Sequence, residues 1–342
     1  MPFLAYRATA YALLAIATLL IHAAHAAQGS ADGNAQSPKC SLKQLAALEV
    51  GVLGNDVVLP VELDGHRGIM ALRPDTANSF VWDHVVREGW LPRHQIIGRM
   101  GFQPPPAEVM PHSPEAKNMK WIQEQATFKS LILGALDFGE GHLLIAPPAP
   151  EDLRDLQAPT LGLLGMDALL QIDFELDLAH GRMNVFSQNH CPGQVVYWSR
   201  DYASVPLFRD QIGRMFFVVQ LDGKQVQASI APAMATSTIT TELAKRLYGF
   251  DPQPADADSV HKMQIAAPGL TIDNAKLGTR DVNRECVLRI HDTARTGVAY
   301  ESRPLCLSEY PLYIGRDILE DLRLFFAMKE KKLYFTAANA AN

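Results

Sequence analysis

The chain has 342 residues, of which 48% are hydrophobic and 20% are charged, and its formal net charge at pH 7 is −6. This composition is typical of a globular protein, and the length suits one large domain or two domains of roughly 150 residues. Both signs of charge are spread along the chain, and no basic stripe indicates a surface for nucleic acid. A polyanion-binding role is therefore excluded.

The first 26 residues have the pattern of a secretory signal peptide. Arg7 precedes an apolar run from about residue 8 to residue 21, and small residues mark a cleavage site before Ala27. The run is shorter than the ~20 residues that a membrane-spanning helix needs, although an uncleaved anchor is the alternative. We therefore predict that residues 1–26 are removed and that the mature protein is periplasmic or secreted, without a membrane span.

Two long segments of the chain resemble each other. Residues 57–85 (VVLPVELDGHRGIMALRPDTANSFVWDHV) align with residues 215–243 (MFFVVQLDGKQVQASIAPAMATSTITTEL). Each segment predicts an apolar strand, a hairpin turn at an Asp-Gly pair, a second strand and a loop of small residues. Asp75 lies at the centre of the first loop, whereas Ala233 has the equivalent place in the second. A short helix is expected after each loop, at about residues 83–88 and 242–247.

A second pair of segments follows in the same order in each half. Residues 163–186 align with residues 313–336, and each segment begins with two apolar residues and a glycine, Gly165 or Gly315. The aspartate two residues after each glycine is expected to open a short helix. Two matched pairs in the same order indicate a tandem duplication, although unrelated β-rich segments with similar turns are the alternative.

The repeated layout resembles the aspartic proteases, in particular the retropepsin-like and pepsin-like families. In those families each lobe contributes a strand, an Asp-Thr-Gly-Ala loop and later an apolar-apolar-glycine segment that crosses behind the loop. The resemblance implies an all-β, two-lobed aspartic-protease fold with short helices, whose lobes are residues 45–190 and 195–338. It implies Asp75 as the catalytic residue. The supporting residues that it implies in the two lobes are Thr76, Ser79, Gly165, Ala233, Thr236, Ser237 and Gly315.

The chemistry of that family needs two aspartates. Two carboxylates about 3 Å apart share one proton, so that the ionised one activates a water and the protonated one polarises the peptide carbonyl. In this chain Ala233 has no proton to accept or donate, and Met234 replaces the threonine that ties the two loops together in the family. The third loop position, normally glycine, is alanine in both copies (Ala77 and Ala235). The resemblance therefore predicts a broken catalytic pair.

Three functions are compatible with these residues. The first is an exported homologue that has lost catalysis and binds extended peptides by strand addition in its cleft. The second is an active aspartic endopeptidase in which Asp75 pairs with a carboxylate from another molecule or another site, with Asp167 and Asp317 as candidates. The third is an unrelated exported β-rich binding protein. Asp75 also has a purely structural interpretation, as the acceptor of a loop hydrogen bond.

Four cysteines fit disulfide bonds in an exported protein. Their positions favour the pairs Cys40–Cys191 and Cys286–Cys306, because each bridge then lies within one half of the chain, although buried thiols are the alternative. No cysteine or histidine pattern has zinc spacing, so neither a metal nor another cofactor is predicted. The expected partner is a peptide or protein segment in an extended conformation.

The proline-rich stretch at residues 101–121 has two interpretations. It is either the flap of the first lobe over the binding groove, with Trp90 or Trp121 facing the ligand, or an ordinary surface insertion.

Overall fold

A computed structural model describes residues 41–102, 120–146, 159–249, 260–265, 270–280, 284–288, 290–291, 300–301, 305–308 and 310–340. The predicted signal peptide lies outside the described residues. From residue 40 onward the chain forms one compact unit. Its described residues are mostly β-strands with a few short helices, which confirms the all-β class. Among these residues, no helix has both the length and the apolar character that crossing a membrane requires.

The described residues of the first half form two short helices and a series of strands. The helices are α1 (Asp83–Arg87) and α2 (Met166–Leu169). The strands are β1 (Gln44–Glu49), β2 (Gly51–Leu53), β3 (Asp56–Leu63), β4 (His66–Leu72), β5 (Phe80–Trp82), β6 (Arg93–Phe102), β7 (Lys120–Phe128), β8 (Leu131–Leu133), β9 (Leu136–Asp137), β10 (Gly141–Ala146), β11 (Thr160–Leu164), β12 (Asp173–Asp177) and β13 (Arg182–Phe186).

The second half is built in a similar way. Its helices are α3 (Thr241–Tyr248) and α4 (Arg316–Leu319). Its strands are β14 (Ala203–Pro206), β15 (Phe208–Arg209), β16 (Met215–Leu221), β17 (Lys224–Ile230), β18 (Thr238–Thr240), β19 (Val260–Ile265), β20 (Leu270–Lys276), β21 (Gly278–Arg280), β22 (Arg284–Leu288), β23 (Ile290–His291), β24 (Tyr300–Glu301), β25 (Leu305–Ser308), β26 (Leu312–Ile314), β27 (Leu322–Ala327) and β28 (Lys332–Ala337).

A hairpin and an inserted strand frame the first loop. β3 and β4 pair antiparallel and are joined by Asp64 and Gly65, whose φ angles of 47° and 82° suit a tight two-residue turn. β11 lies between β4 and β5, because it pairs parallel with β4 and antiparallel with β5. The loop at residues 73–79, which connects β4 to β5, therefore passes over the end of β11.

The second loop has the same frame. β16 and β17 form a hairpin through Asp222 and Gly223, with φ angles of 48° and 77°. β26 pairs parallel with β17 and antiparallel with β18, so the loop at residues 231–237 passes over the end of β26. Both predicted Asp-Gly hairpins are confirmed.

All four predicted helices are confirmed. α3 shows how the sequence sets its ends. The Thr240 hydroxyl accepts a hydrogen bond from the N–H of Leu243 (3.2 Å) and caps the first turn. Gly249 follows the last turn with a φ of 76°, a left-handed conformation that glycine adopts without strain.

One sheet joins the two halves of the chain. Its strand order is β1-β13-β12-β27-β28-β14, and β12 of the first half pairs antiparallel with β27 of the second. The ring of Phe174 stacks on that of Phe326 across this pairing, with 4.3 Å between the ring centroids. Every residue of β12 is buried, so the junction between the halves is part of the core.

A second connection between the halves was not predicted from the sequence. The longest sheet has the order β25-β22-β6-β7-β10-β5-β11-β4-β3-β8-β9. β22 and β25 come from the second predicted lobe, yet β22 pairs antiparallel with β6 of the first. The strands of the two predicted lobes are therefore shared between sheets.

Candidate functional site

The two loops lie very close to the segments that follow β11 and β26, at Gly165 and Gly315. A Cβ atom added to Gly165 would lie 2.3 Å from the carbonyl oxygen of Asn78 in the first loop. A Cβ atom added to Gly315 would lie 2.6 Å from the carbonyl carbon of Thr236 in the second. Both distances are far below contact distance, so only glycine fits beneath either loop.

Ser79 joins the first loop to the segment below it. Its hydroxyl donates to Oδ1 of Asp167 (2.5 Å), and its N–H donates to Oδ2 of the same carboxylate (2.9 Å). The hydroxyl also accepts a hydrogen bond from the N–H of Gly165 (2.9 Å). Ser79 itself is buried, with 1% of its surface exposed.

Ser237 makes the same contacts in the second loop. Its hydroxyl donates to Oδ1 of Asp317 (2.7 Å), and its N–H lies 2.9 and 3.0 Å from the two carboxylate oxygens. The hydroxyl accepts from the N–H of Gly315 (2.9 Å). The two aspartates were expected to cap their helices. The N-cap residues are instead Gly165 and Gly315. Each aspartate lies in the first turn, where its carboxylate accepts from the next backbone N–H and also holds the loop serine.

Backbone hydrogen bonds establish which residues of the two loops are equivalent. The N–H of Arg73 donates to the last carbonyl of β11 (2.9 Å), and the N–H of Ala231 donates to the last carbonyl of β26 (2.9 Å). Two residues further along each loop lie Asp75 and Ala233. The first loop therefore has a carboxylate where the second has a methyl group.

Asp75 is engaged by an arginine in its own loop. The Nε and Nη2 atoms of Arg73 donate to the two oxygens of the Asp75 carboxylate, at 3.0 and 2.9 Å. The aspartate side chain is 7% exposed and that of the arginine 27%. Such a two-pronged, mostly buried contact is among the stronger hydrogen-bonded arrangements in proteins.

The surroundings of Arg73 favour its charged form. Burial alone lowers the pKa of the guanidinium, but the charge of Asp75 and the hydrogen bonds to it outweigh burial and raise that pKa above its usual value. Asp56, at the start of β3, and Tyr313, on β26 of the second half, raise it further. Arg73 therefore stays cationic and keeps the Asp75 carboxylate paired.

The hydroxyl of Thr76 does not tie the two loops together as the resemblance implies. It donates to the carbonyl oxygens of Arg73 (3.0 Å) and Asn78 (3.4 Å), both in its own loop. Among the described residues, it makes no bond to the second loop. In that loop Met234 occupies the equivalent position, and Thr236 is exposed at the surface.

Arg316 makes a contact between the halves that the sequence did not indicate. This residue opens α4, and its Nη1 donates to the carbonyl oxygen of Asn55 in the turn before β3. The same atom lies 3.3 Å from the carbonyl oxygen of Pro232 in the second loop. A cation from the second half thus links the first half to the second loop.

No protein-family model matches the chain, and no curated protein matches it either.

The described residues near the first loop do not form a serine–histidine–aspartate relay. Ser79, His142 and Asp167 all line a cavity of about 330 Å³ in the first half. The Ser79 hydroxyl, however, donates directly to the carboxylate, so no imidazole stands between them to act as a base. Within the described ranges, no group of histidine, cysteine and acidic side chains has the arrangement of a metal site.

The cysteines are placed in agreement with disulfide bonding, but the predicted pairs stay predictions. Cys191 is disulfide-bonded, and the described part of the chain contains no free cysteine. Cys286 on β22 lies directly opposite Cys306 on β25 in the antiparallel register. Opposite residues of such strands have Cα atoms within the range of a disulfide. Cys40 lies outside the described residues.

The two interpretations of residues 101–121 both stay predictions. β6 and β7 pair antiparallel on either side of the stretch, so it connects the strands of a hairpin; residues 103–119 and the side chain of Trp121 lie outside the description. Trp90 stacks on His66, with 3.9 Å between ring centroids, and lines a cavity of about 610 Å³ in the first half.

Proposed function

We propose that this chain is an exported, catalytically inactive homologue of the two-lobed aspartic proteases, which binds an extended peptide segment. The fold supports the proposal through the two equivalent loops, each carried by a hairpin and crossed by an inserted strand. The shared six-stranded sheet, which pairs the ends of the two halves, is also compatible with a two-lobed protein.

The observation that carries the proposal is the pairing of Arg73 with Asp75 opposite a second loop that has Ala233. Hydrolysis by this class of site needs one carboxylate that takes a proton from water and one that donates a proton to the peptide carbonyl. Ala233 does neither. Both oxygens of the Asp75 carboxylate accept hydrogen bonds from the guanidinium of Arg73.

An active protease is the less favoured alternative. Asp167 and Asp317 were the candidate second carboxylates, but each is bound to a serine beneath its loop. A carboxylate supplied by another molecule would still meet an Asp75 that is paired with Arg73. Both observations argue against an intact acid–base pair.

The proposed ligand is an extended peptide because the fold offers strand edges and loops of small residues. Backbone hydrogen bonds to a strand edge give affinity for any extended segment, while side-chain contacts give selectivity.

Export to the periplasm or the medium rests on residues 1–26. Fusing them to a reporter that is active only after export should give a positive signal, and deleting the apolar run should abolish it.

The decisive experiment compares the mature chain with Asp75→Asn in the cleavage of a denatured protein from pH 3 to pH 7. Both proteins should leave the substrate intact. Cleavage by the wild type that is lost in Asp75→Asn and blocked by an aspartic-protease inhibitor would overturn the proposal. Binding is tested in parallel by passing a mixture of synthetic ten-residue peptides over the immobilised chain, where retention of a subset is expected.

A further inference from the structure

The second half carries an insertion that the first half lacks. β10 and β21 are equivalent, because each pairs parallel with the short strand that follows its loop, β5 or β18. The chain then reaches the crossing strand through residues 147–159 in the first half and through residues 281–311 in the second. The second connection is more than twice as long, and it contains β22 and β25. We call these two strands the arm.

The arm leaves its own half and adds to the hairpin of the other. Residues 285–288 of β22 pair antiparallel with residues 99–102 of β6, in the order Glu285–Phe102 to Leu288–Arg99. The opposite edge of β6 is occupied by β7. β25 then pairs with the outer edge of β22. The arm thus covers the outer edge of the β6–β7 hairpin.

A strand edge without a partner presents a row of backbone donors and acceptors to which another extended chain adds readily. This is how many proteins bind peptides of loosely defined sequence. A tethered segment of the same chain competes strongly for such an edge, since its effective concentration reaches about the millimolar range. An external peptide that uses the edge of β6 must displace the arm.

We propose that the outer edge of β6 is the docking edge for an extended peptide strand and that β22 occupies it as an internal substitute for that ligand. The inference rests on the proposed peptide-binding function. It specifies the strand edge with which the ligand pairs and the segment that controls access to that edge. The partner is a segment in β conformation, running antiparallel to β6. The arm holds the site closed until it is displaced.

The predicted Cys286–Cys306 bond would make the arm a single unit. The two residues are opposite each other in the register of β22 and β25, so a bond there would hold β22 in a two-stranded ribbon even when it leaves β6. Removing the bond should weaken the pairing of β22 with β6 and leave β6 itself unchanged.

The test uses Val287→Pro, which removes a backbone donor from β22 within the segment that pairs with β6. Amides of residues 99–102 should exchange with solvent about tenfold faster or more in the variant. The probe is a labelled peptide copying residues 284–290, with serine in place of the cysteine. It should bind Val287→Pro at least about tenfold more tightly than the wild type.

Ile290→Pro is the matched control, because β23 pairs with β24 and makes no described contact with β6. It should leave exchange and probe binding at their wild-type values. Equal exchange and equal probe affinity in the wild type and Val287→Pro would overturn the proposal. If Val287→Pro does not fold, the Cys286→Ser/Cys306→Ser variant replaces it. With the wild type itself, excess probe should speed exchange of the amides of residues 284–288, and unchanged exchange would contradict the proposal.

The proposal of general peptide binding and the proposal about the arm can be refuted independently. If the probe binds Val287→Pro but no unrelated ten-residue peptide binds either protein, the docking edge stands and general peptide binding is wrong. If unrelated peptides bind the wild type and Val287→Pro equally well, peptide binding stands and the role of the arm is wrong.

Discussion

Arg73 donates two hydrogen bonds, of 3.0 and 2.9 Å, to the carboxylate of Asp75 in the same loop. The equivalent residues of the second loop are Ala231 and Ala233, so the arginine and the aspartate are both present in one copy and both missing from the other. An ion pair needs both partners in the same loop. Catalysis of the aspartic-protease type needs an aspartate in each loop. The side chains of the two loops therefore meet the requirement of an ion pair but not the requirement of catalysis.

Removing only Arg73 should therefore destabilise the fold. In Arg73→Ala the buried Asp75 carboxylate has no counter-charge, and we expect a loss of about 3 kcal/mol in the free energy of unfolding. Asp75→Ala leaves the cation unpaired and should cost a similar amount. The double variant should lose clearly less than the sum of the two, because it removes both charges together. Urea denaturation of the four proteins measures the coupling.

The second loop supports this expectation, since it folds with alanine at both positions. Arg67→Ala is a suitable control, because its ion pair with Glu62 lies at the surface, where the arginine side chain is 89% exposed. No measurable change is expected there. Strictly additive losses in the Arg73 and Asp75 variants would show that the pair does not stabilise the loop.

The glycines beneath the loops should tolerate no side chain. In Gly165→Ala and Gly315→Ala the new methyl group would meet backbone atoms at 2.3 and 2.6 Å, and we expect a loss of about 3 kcal/mol or more. Gly51→Ala is the control, since the nearest atom to its added Cβ is a side-chain carbon of Val58 at 3.9 Å. Thermal unfolding compares the three. A melting temperature of Gly165→Ala equal to that of Gly51→Ala would contradict the close approach.

Features that depend on neighbouring residues could be predicted from the sequence. The hairpins at Asp64-Gly65 and Asp222-Gly223 follow from two residues that accept positive φ angles between alternating apolar strands. The helices follow from short apolar patterns after each loop and after Gly165 and Gly315. The equivalence of the two copies could be read in the same way, because each motif is local and recurs in the same order.

Features that depend on pairing between distant residues could not be predicted from the sequence. The β22–β6 pairing joins residues almost two hundred positions apart, and an edge strand has no pattern that names its partner. The link from Arg316 to the carbonyl oxygen of Asn55 is equally invisible, since a backbone acceptor has no sequence signal. The pairing of Arg73 with Asp75 could not be predicted either, because the sequence does not give the direction of the arginine side chain.

Ser79 and Ser237 should contribute equally to stability, since they make the same bonds in the two copies. Replacing either serine by alanine leaves a buried glycine N–H without its acceptor, and we expect a loss of about 1–3 kcal/mol for each variant. Ser204→Ala, at a half-buried position of β14, should change the free energy of unfolding by less than about 0.5 kcal/mol. Chemical denaturation measures all three. A large loss in only one of the two loop variants would show that the copies are not equivalent.

Asp173 should make the fold more stable in acid than its asparagine variant. Its fully buried carboxylate contacts Nε2 of His190 at 2.5 Å and accepts from the N–H of Met328 at 2.8 Å. Burial raises the pKa of Asp173 above its usual value of 3.8, although the hydrogen bond and charge of His190 lower it in part. A raised pKa means that the folded state holds the proton more tightly than the unfolded state does.

The stability that this proton supplies is complete below pH 3.8 and is lost as the pH rises through the raised pKa. The difference in unfolding free energy between the wild type and Asp173→Asn should therefore fall as the pH increases from 3 to 7. Ser204→Ala, which removes no titratable group, is the control, and its difference from the wild type should not change with pH. Urea denaturation across this range gives both curves. A wild-type advantage over Asp173→Asn that grows with pH would mean that the bond to His190, and not burial, dominates the carboxylate.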